Sequence, residues 1–247
     1  MTQSPLEVKT AAGPTEAFFF TPESGTGPWP GVVYLTDIGG IRPAYHTMAR
    51  RLADKGYAVL LPNIFHRVSR LPVIDFEFKM GEERSMKRLS ELMNALPSAQ
   101  MSEDGSLYVD DVLAMKTVKQ GKVGVVGYCF AGSMSVRTAA ARPDKVAAAA
   151  SFHGGGLVTD LPDSPHLSLP KIKARLYFGH AIEDRSMPKE AIARLDAALK
   201  AWGGKYESEV YEGAYHGWAV PGSPIYNEKQ AERHFEKLVG LFDATLK

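Results

Sequence analysis

The sequence predicts an α/β fold, a mostly parallel twisted sheet with helices on both faces. Three observations predict it. Short runs rich in β-branched and aromatic residues alternate with longer helical stretches along the whole chain. Several of these runs are apolar throughout, as central strands covered on both faces require. Alternating strands and helices are joined by crossovers, and crossovers give parallel pairing.

Strands are predicted at residues 17–20, 32–35, 58–61, 123–126, 146–152, 175–178 and 207–211. Helices are predicted at 44–55, 82–96, 106–119, 132–141, 189–202 and 227–245. The helix at 189 starts just after Pro188, and Gly203-Gly204 stops it. The interval 62–107 carries one helix with irregular flanks and is a candidate partial lid. No linker, repeat or low-complexity segment divides the chain, so 1–247 reads as one domain.

Composition narrows the function class. Of 247 residues, 45% are hydrophobic and 23% charged, which suits a soluble globular chain. Lys plus Arg is 29 and Asp plus Glu is 28; a formal charge of +1 gives no reason to expect a nucleic-acid partner. No run of about 18 apolar residues appears, so no membrane span is expected. The start, MTQSPLEVKT, lacks the basic and apolar regions of a signal peptide. A single Cys forbids an intrachain disulfide and points to a reducing cytoplasm.

In open parallel sheets, ligands bind at the carboxyl ends of the strands. After the run 123–126 comes Gly127-Tyr128-Cys129-Phe130-Ala131-Gly132, then a helix rich in Ala, Ser and Met. This spacing is that of a nucleophile elbow. The central residue sits on a strained turn that exposes its side chain, and a small residue two positions away on each side lets strand and helix approach closely. The helix dipole then favours a thiolate and an oxyanion, and the Phe130 N–H is one oxyanion donor. A lone Cys is more often a small buried hydrophobe. Here the conjunction of apolar strand, Gly, Cys, Gly and helix favours Cys129 as nucleophile.

The chain order for such a site is nucleophile, acid, His. Of seven His, only His216 lies in the loop after the last strand, Glu212-Gly213-Ala214-Tyr215-His216-Gly217-Trp218. His234 sits mid-helix among Glu and Lys and reads as solvated. His46 lies on a helix. His153 follows a strand and precedes three glycines, which fits a pocket-lining or a packing role. The acid is expected after the run 175–178. Asp184 is the choice there, with Glu183 as the fallback, and its role is to hold the His216 tautomer.

These residues resemble the dienelactone hydrolase family of α/β-hydrolases, also called carboxymethylenebutenolidases. The resemblance rests on the segments 126–132, 179–184 with Pro188, 211–218, 56–62 and 37–40, and runs over nearly the whole chain. Most α/β-hydrolases use Ser at the elbow, so a Cys there is specific. The resemblance implies an α/β-hydrolase fold, a triad of Cys129, His216 and Asp184, no metal or other cofactor, and hydrolysis of an unsaturated cyclic ester.

The same resemblance implies an acidic residue that reaches the thiol, here Asp37, where the family's usual residue is Glu. Its expected role is to accept a hydrogen bond from the neutral thiol until substrate displaces it; the alternative is that Asp37 caps a turn. It also implies the Ile38 N–H as the second oxyanion donor. Family members that act on dienelactone grip its carboxylate with two Arg. Here Val220 stands at one of those positions. Arg84 corresponds loosely to the other, or is a plain solvated helix residue. Losing one bidentate arm predicts a substrate other than the usual anion, or one held differently.

The expected partner is thus a small-molecule lactone or ester, with no nucleic acid and no membrane, bound by a monomer or small homo-oligomer. Two other readings stand beside this one. One is a general carboxylesterase for activated aryl esters, with a pocket lined by Tyr128, Phe130 and Trp218. The other is a catalytically retired hydrolase that acts as a binding protein.

Overall fold

The computed structural model describes residues 2–10, 12–79 and 81–247. The strands are β1 (Thr2–Thr10), β2 (Gly13–Thr21), β3 (Gly31–Leu35), β4 (Ala58–Pro62), β5 (Val123–Tyr128), β6 (Val146–Phe152), β7 (Arg175–His180) and β8 (Tyr206–Val210). They form one sheet in the order β1-β2-β4-β3-β5-β6-β7-β8. β1 and β2 pair antiparallel, as do β2 and β4, and every other neighbouring pair is parallel. β3 therefore has β4 on one side and β5 on the other. Strand order reverses there, and a crevice opens beyond the carboxyl ends of β3 and β5.

Period-two alternation sends side chains from each strand to two separate cores. Val33 and Leu35 of β3 pack with Val123 and Val125 of β5 on one face. Helices α3 (Ser98–Ala114), α4 (Phe130–Ala141) and α5 (Lys189–Trp202) cover that face through residues such as Tyr108, Met134 and Leu195. Val32 and Tyr34 point the other way and meet α1 (Pro43–Ala53) and α6 (Glu228–Leu246). No helix among the described residues is long and apolar enough to cross a membrane.

The predicted strands and helices are present, with informative differences. β1 was not predicted, because TQSPLEVKT is polar and contains a Pro. It is an edge strand, where Pro is tolerated, and it pairs along its length with β2. α3 begins at Ser98 rather than 106. Gly105 lies inside this helix, where it is a contact. A Cβ at that position would lie 2.0 Å from Thr138 Oγ1, so its absence lets α3 pack closely on α4. α3 also ends before 119, because Thr117 and Lys119 turn to pair with Trp29. His234 is buried, not solvated. Residues 231, 234, 235, 238, 241 and 242 form one helical face against the sheet, and that face overrides the charged neighbours.

The interval 62–107 contains α2 (Glu83–Asn94) and packs onto the walls of the crevice. Phe65 stacks on Phe130 with centroids 6.0 Å apart, and Val73 presses against Gly40. Arg67 pairs with the buried Asp104, and Arg88 donates to the Val73 carbonyl at 2.8 and 2.9 Å.

Candidate active site

The elbow after β5 is built by sterics. Cys129 has φ 53° and ψ −120°, a left-handed conformation rare for a residue with a Cβ. A Cβ on Gly127 would come within 2.0 Å of the Ala131 carbonyl oxygen. One on Gly132 would come within 2.4 Å of Ser151 Oγ and 2.6 Å of Gly154 Cα. Only glycine fits either place, and the small residue two after Cys129 is Ala131. The Cys129 backbone is also fully engaged. Its N–H donates to Phe152 O at 3.1 Å, and its carbonyl accepts from Gly132 and Gly155 N–H at 3.0 and 3.2 Å.

Sγ of Cys129 lies 3.0 Å from His216 Nε2. His216 Nδ1 lies 2.6 Å from Asp184 Oδ2. Asp184 Oδ1 accepts from the Ser186 N–H at 2.8 Å and the Ser186 hydroxyl at 2.6 Å. The carboxylate is thus satisfied on both oxygens. Glu183, the fallback acid, is exposed and serves as a turn residue with φ 50°. Ser186 was not picked out in the sequence; its offset of two from an Asp is the local signal of an Asx turn.

Burial opposes a charge on His216. The hydrogen bonds to Asp184 and Cys129, with the charges of both, outweigh it and push its pKa up to about 10. Burial likewise tends to raise Asp184, but the hydrogen bonds from His216 and Ser186 bring its pKa below the ordinary value. The arrangement therefore favours an imidazolium between two acidic groups.

His153 lies behind His216. It is fully buried with φ 39°, its ring centroid 5.2 Å from that of His216 and 4.9 Å from that of Trp218. Burial first, then the charge of His216, pushes its pKa well down, so it stays neutral.

Tyr128 and Trp218 do not line a pocket. Both are fully buried. The Tyr34 hydroxyl donates to Tyr128 Oη at 2.7 Å, and Tyr128 Oη lies 3.2 Å from His234 Nε2. Burial holds His234 down at about 4. Trp218 stacks on Tyr211 at 4.9 Å. Aromatic residues beside a motif are here core supports beneath the turn, which residue type alone does not reveal.

Asp37 departs from its expected place. Its carboxylate is held bidentate by Arg42 at 2.6 and 2.7 Å, and Oδ1 also accepts the Gly39 N–H at 2.9 Å. It makes no hydrogen bond to Cys129; the turn-capping alternative is the one observed. An Asp side chain is short, and a guanidinium five residues on outcompetes a thiol. The Ile38 N–H has no acceptor among the described residues, and the Phe130 N–H is the first of α4, with no carbonyl in its own helix to bind. Both expected oxyanion donors are thus free. Val220 is buried in the core. Arg84 is 70% exposed, 3.9 Å from Asp75 and stacked 3.9 Å over the Phe76 ring.

A mostly parallel sheet, a strand–elbow–helix turn at its switch point and helices on both faces are the architecture of an α/β-hydrolase. The chain matches the model of the dienelactone hydrolase family over residues 15–246 and belongs to that family. It is 30% identical over 226 residues to carboxymethylenebutenolidase of Rhodococcus opacus, covering 90% of this chain and 84% of that one. A Klebsiella pneumoniae chain provisionally called a dienelactone hydrolase superposes with TM-score 0.86 at 21% identity, covering 98% of each chain. A dienelactone hydrolase-like promiscuous phosphotriesterase from metagenomic libraries superposes with TM-score 0.81 at 20% identity, covering 100% of this chain and 99% of that one. The family assigns the chain to the hydrolases of lactones and esters.

Proposed function

We propose that the protein hydrolyses lactones with good leaving groups, enol lactones above all, through Cys129, His216 and Asp184 and a thioester intermediate. The observation that carries this reading is the unbroken hydrogen-bond chain from Sγ through His216 to Asp184 at a strained elbow. Family membership and the Rhodococcus opacus relative support the substrate class.

The Cys129 thiolate attacks the lactone carbonyl carbon, and the carbonyl oxygen becomes an oxyanion between the N–H groups of Phe130 and Ile38. The tetrahedral adduct collapses, the ring C–O bond breaks, and the departing oxygen takes the Nε2 proton of His216. Neutral His216 then removes a proton from water as the water attacks the thioester. The C–S bond breaks, and acid, thiolate and imidazolium are restored. Asp184 holds Nδ1–H throughout and stabilises the imidazolium.

A thiolate is a better leaving group than an alkoxide, so an adduct of a simple alkyl ester reverts to reactants. Enolates and phenolates depart readily. We expect kcat/KM for enol lactones and aryl esters to exceed that for ethyl esters by about two orders of magnitude, or ~2.7 kcal/mol in barrier. Equal turnover of ethyl esters and enol lactones would overturn the thioester route. Hydrolysis that survives Cys129→Ala at near-normal rate would place the site elsewhere. The carboxylesterase variant of this reading loses the pocket proposed for it, because Tyr128 and Trp218 are buried.

A further inference from the structure

We propose that Asp37, Arg42 and Tyr45 form a brace that positions the Ile38 N–H as an oxyanion donor, and that Asp37 does not gate the thiol. The proposal rests on the Cys129 reading given above.

The turn after β3 is held at almost every group. Of the four consecutive backbone N–H groups from Asp37 to Gly40, three have acceptors within the turn or its neighbour α1. Asp37 N–H donates to Tyr45 Oη at 2.8 Å, Gly39 N–H to Asp37 Oδ1 at 2.9 Å, and Gly40 N–H to Asp37 O at 3.0 Å. Only the Ile38 N–H is left over. Arg42 completes the brace through its two contacts to Asp37, its bond to the Gly40 carbonyl at 3.2 Å, and its stacking 4.8 Å over the Tyr45 ring. The turn is closely packed at its two glycines. A Cβ on Gly39 would lie 2.8 Å from Arg42 Nη1, and one on Gly40 would lie 2.4 Å from a Val73 methyl.

The register places this turn at the nucleophile. Leu35 pairs with Gly127 across β3 and β5, so Ile38 and Cys129 lie three and two residues beyond a paired position, at the same edge of the sheet. A backbone donor serves an oxyanion only if its direction is set before charge develops. A turn whose other donors are all committed has that property. Because Asp37 is committed to Arg42, it is not available to hold the thiol neutral, and Cys129 keeps His216 as its hydrogen-bond partner in the absence of substrate.

The test compares two reactions of the same thiol. Acylation by p-nitrophenyl acetate builds an oxyanion; alkylation by iodoacetamide does not. Cys129 is the only Cys, so alkylation reports it alone. In Arg42→Met, burst acylation is expected to slow tenfold or more, while alkylation stays within twofold of wild type. Arg42→Lys keeps the charge without the fork and should recover part of the rate. Tyr45→Phe leaves the ion pair and removes only the acceptor for Asp37 N–H. It should slow acylation severalfold, and it reads the brace even if Arg42→Met does not fold. An unchanged ratio of acylation to alkylation in the folded variants would overturn the proposal. So would a parallel fall of both rates, which would make Arg42 a support of the thiol and not of the donor. Wild-type protein that shows no acylation burst, with Cys129→Ala still hydrolysing, would instead remove the nucleophile reading on which the brace depends.

Discussion

The turn after β5 and the turn after β3 follow neighbouring strands at the carboxyl edge of the sheet, and each leaves one N–H without an acceptor among the described residues. They are held by different forces. The elbow is fixed by contact: Gly127 and Gly132 leave space for hydrogen only, and the Cys129 backbone is bonded on both sides. The turn at 37–42 is fixed mainly by charge and side-chain hydrogen bonds, through Asp37, Arg42 and Tyr45. Steric turns are written in glycine spacing and tolerate nothing larger. Electrostatic turns depend on which charge reaches which partner, so substitution there alters the chemistry before it alters the fold.

The largest expected effect comes from breaking the elbow. Gly127→Ala forces a Cβ against the Ala131 carbonyl at 2.0 Å, so strand and helix must part. Overpacking of this kind costs about 1–3 kcal/mol or more. Thermal melts should show a lowered Tm together with lost hydrolysis, whereas Tyr45→Phe should melt near wild type. A Gly127→Ala protein with normal Tm and activity would erase the contrast between the two turns.

Next in size is the acid behind the elbow. Asp184→Asn keeps the shape but removes the charge that holds His216 protonated. We expect acylation to fall by on the order of 10²–10⁴, the usual worth of a general acid–base pair. The alkaline limb of kcat/KM, set in wild type by the His216 pKa of about 10, should move to lower pH. A limb that stays in place would mean that Asp184 does not tune His216.

Stability should follow the same group. The folded pKa of His216, about 10, lies above its unfolded value of about 6.5. Its contribution is therefore fully present below about pH 6.5 and is lost as pH rises through the folded pKa. Between pH 7 and 10 the Tm of wild type should fall more steeply than that of His216→Ala. Parallel curves would remove the linkage.

The smallest effect is expected at Arg84, which belongs to neither turn. Arg84→Ala should change kcat/KM within about twofold for substrates with or without a carboxylate, since exposed charges contribute little. A loss of tenfold or more, confined to carboxylate-bearing lactones, would bring α2 into substrate recognition.

The sequence by itself determined the layered α/β fold and the order of the candidate site residues along it. Alternating strand and helix periods, Gly-x-Cys-x-Ala-Gly after an apolar strand, and an acid and a His after later strands are all local signals. Local backbone geometry carries them, because only glycine fits beside the elbow and only certain residues turn the chain there. Tertiary structure alone decided who partners whom. It set polar β1 on a sheet edge, turned His234 inward among its charged neighbours, and buried Tyr128 and Trp218 beneath the turns. It also gave Asp37 to Arg42 rather than to Cys129. Such choices are settled by competition through space, where a guanidinium fork outweighs a thiol and a buried helix face outweighs the charges beside it. No spacing along the chain records that competition.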